Sequence, residues 1–266
     1  MEKIDNVIDL LNPGPYDSDE EKKIKSKILK DLDEDIRRLK KKYPLSPAHS
    51  KQDGLPARDK AYDELLYDLA KKYEKIIEME NNKNNIEKFF MDPEEAPKIP
   101  GNFSTLYLLR RDINRCFCNS IIWPGTMCIL AGIDLLGKFY VGDDSKGKVG
   151  ERFDSFLQAF IVSNGENYNI LYSLRNSMLH SFGLYDDNHR IILNQDKENF
   201  IREDNGSYII SVYILRERFE DGIKKFKFTL VSDKNNAKEN FNKMFPKTAR
   251  VKIKERLFSR LVSYHC

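Results

Sequence analysis

The sequence predicts a mainly helical protein, with an amino-terminal helical hairpin followed by a second helical domain that carries a small inserted β-hairpin. Three observations predict it. Apolar residues recur at helical spacing through most of the chain, Pro and Gly break that spacing in a few places, and only residues 189–213 change to short β-branched and aromatic runs. The 266 residues, 40% hydrophobic and 33% charged, suffice for one large or two modest domains with their own cores. A formal net charge of +3 excludes indiscriminate coating of a polyanion, so any anionic partner must be met at a local site.

After the Asn12-Pro13-Gly14-Pro15 turn, an acidic run precedes the stripe Ile24, Ile28, Leu32, Ile36, Leu39 and Tyr43, with acids at the positive end of the helix. Pro44, Pro47, Gly54 and Pro56 interrupt it, and Tyr62, Leu65, Leu66, Leu69, Tyr73, Ile76 and Ile77 complete the hairpin. The Asn-rich residues 81–85 and the Pro-containing residues 92–101 read as linker, placing the domains at 1–95 and 103–266. In the second domain Leu106, Leu109, Ile113 and Phe117 share a helix face, and Pro124 suits the first turn of an all-round apolar helix over 127–138. Residues 142–150 read as a loop. Phe153, Phe156, Leu157, Phe160 and Ile161 follow the i, i+3, i+4, i+7, i+8 rule up to Asn164-Gly165. Another helix spans about 168–182 and stops at Gly183. Residues 189–193 and 208–213 are expected to pair as the hairpin, and helical spacing returns at Phe219, Ile223, Phe226 and Leu230, with a last apolar segment over 257–262.

Apolar stretches such as 127–136 are shorter than the roughly 20 residues of a spanning helix. The start, Met-Glu-Lys-Ile-Asp-Asn, lacks a cationic leader, and Cys116, Cys118, Cys128 and Cys266 are not spaced as a disulfide framework. The expectation is a cytoplasmic protein with no membrane segment.

The chemically informative stretch runs from Leu171 to Gly183. On an ideal helix Leu171, Leu174, Met178 and Phe182 form an apolar arc, while Tyr172, Asn176 and His180 line up at i, i+4 and i+8. Arg175 falls at the margin of the apolar arc, about 140° from His180, where a permanent charge needs a partner. In a structural reading, Arg175 pairs with Asp134, the acid of the apolar central helix, and His180 bonds a carbonyl. The functional reading starts from RNA cleavage, which requires a proton acceptor for the 2′-hydroxyl, a donor for the leaving 5′-oxygen and a cation for the phosphorane. Histidine exchanges protons at neutral pH, and the arginine fork fits phosphate oxygens. One His and one Arg are half a site, and a symmetric homodimer through the motif helix completes it. Spacing alone leaves both readings open.

Arg175-Asn176-Ser177-Met178-Leu179-His180 resembles the R-x4-6-H motif of the HEPN superfamily, the higher-eukaryote and prokaryote nucleotide-binding domain. Ile133-Asp134-Leu135-Leu136-Gly137, Gly150-Glu151-Arg152-Phe153, Leu171 to Asn176 and His180-Ser181-Phe182-Gly183-Leu184 are similar, in order, to segments of a group of bacterial HEPN-like proteins. The likeness covers about residues 103–250 and none of residues 1–100. It implies an up-and-down helical bundle that dimerises through the motif helix. For active members it implies a metal-independent endoribonuclease leaving a 2′,3′-cyclic phosphate, often a toxin or an antiphage effector. By position it makes Arg175 and His180 the active pair and Asn176 an accessory polar residue, with no metal or cofactor required. The scheme expected here adds Asp134 or Glu151 to hold Arg175, and Tyr172 on the polar arc of Asn176 and His180. The partners implied are single-stranded RNA and a second copy of the chain. Other HEPN domains only dimerise or bind RNA, nucleotide or protein. Toxin-type members of one branch carry Tyr two residues after the His, where this chain has Phe182.

Other candidates read as ordinary. Cys116-x-Cys118 with Cys128 falls short of a four-ligand zinc site and reads as buried cysteines. Gly142 to Lys148 lacks the spacing of a phosphate-binding loop, and His49, His189 and His265 stand alone. Residues 213–264 hold 14 Lys or Arg against 6 Asp or Glu. That basic segment reads as a solvated face, with contact to an RNA backbone through interleaved Phe226, Phe228 and Phe245 as the sharper alternative. The amino-terminal hairpin could serve a protein partner.

Overall fold

The computed structural model describes residues 2–13, 19–43, 57–94, 102–163, 169–181, 183–184, 190–232, 236–248 and 250–252. The interruption at 44–56, the Asn164-Gly165 stop, Phe182, the 257–262 segment and His49, His189 and His265 lie outside them. The chain is mainly helical with a small β insertion, and it divides into two compact units, Met1–Lys83 and Asn84–Cys266.

Among its described residues the first unit holds the two helices of the expected hairpin, preceded by a further helix. α1 (Glu2–Leu11) brings Ile4, Val7 and Leu11 to a core shared with Ile28 and Leu32 of α2 (Asp19–Lys42) and Tyr62, Leu66, Ala70 and Tyr73 of α3 (Ala57–Phe89). α2 opens on Asp19, Glu20 and Glu21 and closes on Lys40, Lys41 and Lys42, each charge matched to its end of the helix dipole. Asp35 accepts from Lys72 Nζ at 2.9 Å and from Tyr73 Oη at 3.1 Å, joining α2 to α3. Burial, then the bond to Asp35, pushes the Tyr73 phenol up to about 12.

The expected linker over 81–85 is helical, and the division between units falls inside α3, ahead of residues 92–101. Ile86, Phe89 and Phe90 explain the shift, because they belong to the second core: the Phe89 ring lies 4.4 Å from Phe139 and 5.3 Å from Phe241. Burying two phenyl rings outweighs the poor helix propensity of the asparagines.

The second unit begins with β1 (Asn102–Ser104) and α4 (Thr105–Cys118). Ser104 Oγ caps α4 by accepting from the Tyr107 N–H at 2.9 Å and donates to the Phe89 carbonyl at 2.8 Å. α5 (Ile122–Val141) has Pro124 in its first turn, Gly142 in the left-handed conformation at its end, and Ile129, Leu130, Ile133, Leu136 and Phe139 fully buried. It is longer than the apolar stretch read from the sequence. By length and composition it could cross a membrane, and half of that window is buried inside the fold, packed by α4, α6 (Val149–Phe156), α8 (Val212–Val231) and α9 (Ala237–Thr248). α6 runs into a π turn, Leu157–Ile161, and the five residues of its apolar rule are all buried. α7 (Asn169–Asn176) runs into a second π turn, Ser177–Ser181.

The β insertion differs from expectation. β2 (Arg190–Asn194) pairs with β4 (Ser207–Ser211) in parallel, Ile191 opposite Tyr208, while β3 (Ile201–Asp204) is the strand that forms a hairpin with β4. Asn205 and Gly206, both at positive φ (49° and 74°), make that turn. β3 is polar and mostly exposed, so its period carried little hydrophobic signal. β5 (Arg250–Lys252) pairs antiparallel with β1.

Candidate functional site

Three helices of the second unit meet at one carboxylate. Asp134, midway along α5, accepts from Arg152 Nε at 2.7 Å through Oδ1, and Arg175 Nη2 stands 3.5 Å from Oδ2. Gly137, one turn after Asp134, permits this: a Cβ there would lie 2.4 Å from the Arg152 carbonyl oxygen, so only glycine lets the α6 backbone approach α5 so closely. Arg152 Nη1 also donates to the Ser145 carbonyl at 3.4 Å and lies 3.7 Å from Asp144, which pairs with Lys138 at 2.8 Å. Among the described residues the connected cluster therefore holds Lys138, Arg152 and Arg175 against Asp134 and Asp144, one positive charge in excess.

The side chains are 6% exposed for Arg152, 13% for Arg175 and 16% for Asp134. Arg175 Nη1 donates to Asn176 Oδ1 at 2.9 Å, while its Nε is buried without a hydrogen-bond partner among the described residues. An arginine donor left so costs roughly 1 to 3 kcal/mol unless a ligand takes it.

The motif helix is not the ideal helix of the sequence reading. The α period ends at Asn176, and His180 rides on the Ser177–Ser181 π turn, exposed, before the Gly183 N–H bonds the Ser177 carbonyl at 3.1 Å. A turn closed by i→i+5 bonds advances less per residue than an α turn, so the 140° offset between Arg175 and His180 narrows, while Tyr172 and Asn176 keep their i, i+4 relation within α7.

Asp134, Arg175 and Asn176 thus come together. Glu151 does not hold Arg175: it is exposed and bonds Lys148 Nζ at 2.6 Å, because its position on α6 faces solvent. Tyr172 packs its ring 5.6 Å from Phe153 and over Gly150, a contact that seats α7 on α6. Arg152 and Asp144 were missed as site residues. Arg152 stands four residues before buried Phe156, hence on the apolar face of its helix, the same signal that singled out Arg175.

Elsewhere, no group of three or more His, Cys, Asp or Glu suited to a metal exists among the described residues. Cys118 is exposed rather than buried, Cys116 and Cys128 are half-buried, and burial pushes the thiols of the latter two up. Phe226 and Phe245 are core residues, which leaves Phe228 as the exposed aromatic of the three. Comparison with known protein families, characterised proteins and solved structures finds no match to the chain.

Proposed function

We propose that this protein is a metal-independent endoribonuclease of HEPN type that cuts single-stranded RNA at a composite site in a homodimer, as a toxin or antiphage effector. The observation that carries the reading is the convergence of Asp134, Arg152 and Arg175, one from each of three segments that resemble HEPN-like proteins, with Asn176 bonded to Arg175 and an exposed histidine five residues on. In this scheme His180 takes the 2′-hydroxyl proton as that oxygen attacks phosphorus. The 5′-oxygen leaves with a proton from the second His180, yielding the cyclic phosphate. Arg175 stabilises the crowded phosphorane, and Asn176 and Asp134 fix the guanidinium.

The burial and pairing of Arg175 favour a second reading, a non-catalytic module that dimerises or binds RNA, nucleotide or protein through the same face. The deciding experiment incubates the protein with total RNA in EDTA beside His180→Ala and Arg175→Ala. Cleavage by the wild type alone supports the ribonuclease. Equal cleavage by all three assigns it to another site or a contaminant.

A further inference from the structure

We propose that Arg152 is the positioning residue that keeps the Arg175 guanidinium able to take a phosphate oxyanion, by occupying half of the carboxylate both arginines touch. The inference rests on Arg175 as the anion-facing group of the proposed site, and asks what leaves it free for that task. An arginine beside one carboxylate ordinarily closes a two-pronged pair and neutralises itself. Here Asp134 is divided unequally. Oδ1 is committed to Arg152 Nε at 2.7 Å, and Oδ2 only approaches Arg175 Nη2, at 3.5 Å. The Arg175 Nε is left buried and unpartnered, and the cluster keeps one excess positive charge.

Arg152 is not the ligand itself, since its Nε is committed to Asp134 and its Nη1 is turned to the Ser145 carbonyl. Its position is built into the fold, because the α6 backbone touches α5 at Gly137 and brings Nε onto Asp134. With Arg152 removed, Asp134 is free to grip Arg175 with both oxygens, taking the open donor and cancelling the charge that would attract phosphate.

The test follows the side-chain Nε–H resonance of Arg175, assigned by its loss in Arg175→Lys, as inorganic phosphate is added to the full-length 15N-arginine-labelled protein. The wild-type resonance should move. Arg152→Met should weaken phosphate binding about tenfold or more, and Arg152→Met/Asp134→Asn should regain most of that loss, which damage to packing would not allow. Arg152→Lys, which keeps a cation for Asp134, should hold close to wild-type affinity, and it decides the matter if Arg152→Met does not fold. Wild-type affinity in Arg152→Met, equal weakening in the single and double variants, a loss of about tenfold in Arg152→Lys, or a wild-type resonance that ignores phosphate each overturns the inference. If phosphate behaves as expected while RNA is left uncut, the ribonuclease reading fails and the role of Arg152 stands.

Discussion

Replacing Gly137 with alanine should destabilise the second unit far more than the same change at Gly132, although both lie in α5 and both gain about 1 kcal/mol of helix propensity. At Gly137 the new Cβ meets backbone, 2.4 Å from the Arg152 carbonyl oxygen and 2.8 Å from its carbon. To restore ordinary contact α6 must retreat by about 1 Å, an overpacking cost near the upper end of the usual ~1–3 kcal/mol because a backbone cannot rotate away. The same retreat stretches the 2.7 Å Arg152–Asp134 bond to the edge of hydrogen-bonding range, a charged interaction worth about 1.5–3 kcal/mol. The net loss should be about 3–5 kcal/mol after the propensity gain. At Gly132 the obstacles are the Phe219 ring at 2.5 Å and a Leu109 methyl at 2.8 Å, side-chain ends that can shift, so the net loss should stay near 1 kcal/mol. Urea denaturation followed by fluorescence reads this directly, since the single tryptophan, Trp123, lies in α5 itself. A Gly137→Ala midpoint equal to wild type, or a larger loss at Gly132, would refute the close-approach argument.

Arg110 is buried and grips Glu220 through Nε and Nη2, the shortest contact being 2.6 Å, so Glu220→Ala should cost about 3 kcal/mol in urea denaturation; a loss under about 1 kcal/mol would show that Met91 and Asp92 suffice as partners. Gly206→Ala should cost about 1–2 kcal/mol from backbone conformation alone, because a Cβ there meets nothing within 4 Å; an unchanged Tm contradicts the positive φ. Burial raises the Asp154 carboxyl, so the folded state holds its proton more tightly than the unfolded chain does and stability falls as pH climbs from the ordinary carboxylate pKa through the raised one. Asp154→Asn should therefore melt higher than wild type near pH 7 and lose that advantage near about pH 3, and a gain that is the same at both would count against the burial argument.

What could be read from the sequence was whatever the hydrophobic period carried. The stripes of α2, α4, α6 and α8 face their cores as their spacing requires, buried or half-buried, since a helix face that leaves water imposes its repeat on the residues that line it. The misses have other physical origins. Asn81 to Asn85 look like a linker only if propensity is weighed without Phe89, whose burial decides the matter from a few residues away. The Asn205-Gly206 dipeptide was the turn signal of the insertion, obscured because β3 is an exposed strand with no apolar alternation to mark it. Parallel pairing of β2 with β4 depends on a connection that returns through β3, and strand patterns do not encode direction.

The candidate site was legible through a single principle, that a permanent charge on an apolar helix face must be answered. That principle led from Arg175 to Asp134 and would have led equally from Arg152 to the same residue. A carboxylate shared by two arginines is a different object from an ion pair: here one oxygen faces each guanidinium, and the remainder, among the described residues, is the buried, unpartnered Arg175 Nε and one positive charge in excess. The π turn adds to this a histidine whose placement no ideal wheel predicts, because the extra residue per turn narrows its angle to Arg175. A π turn is not by itself the mark of a site, since α6 also ends in one, over Leu157–Ile161, with Leu157, Phe160 and Ile161 buried; what sets the second apart is that it carries an exposed histidine beside a shared carboxylate.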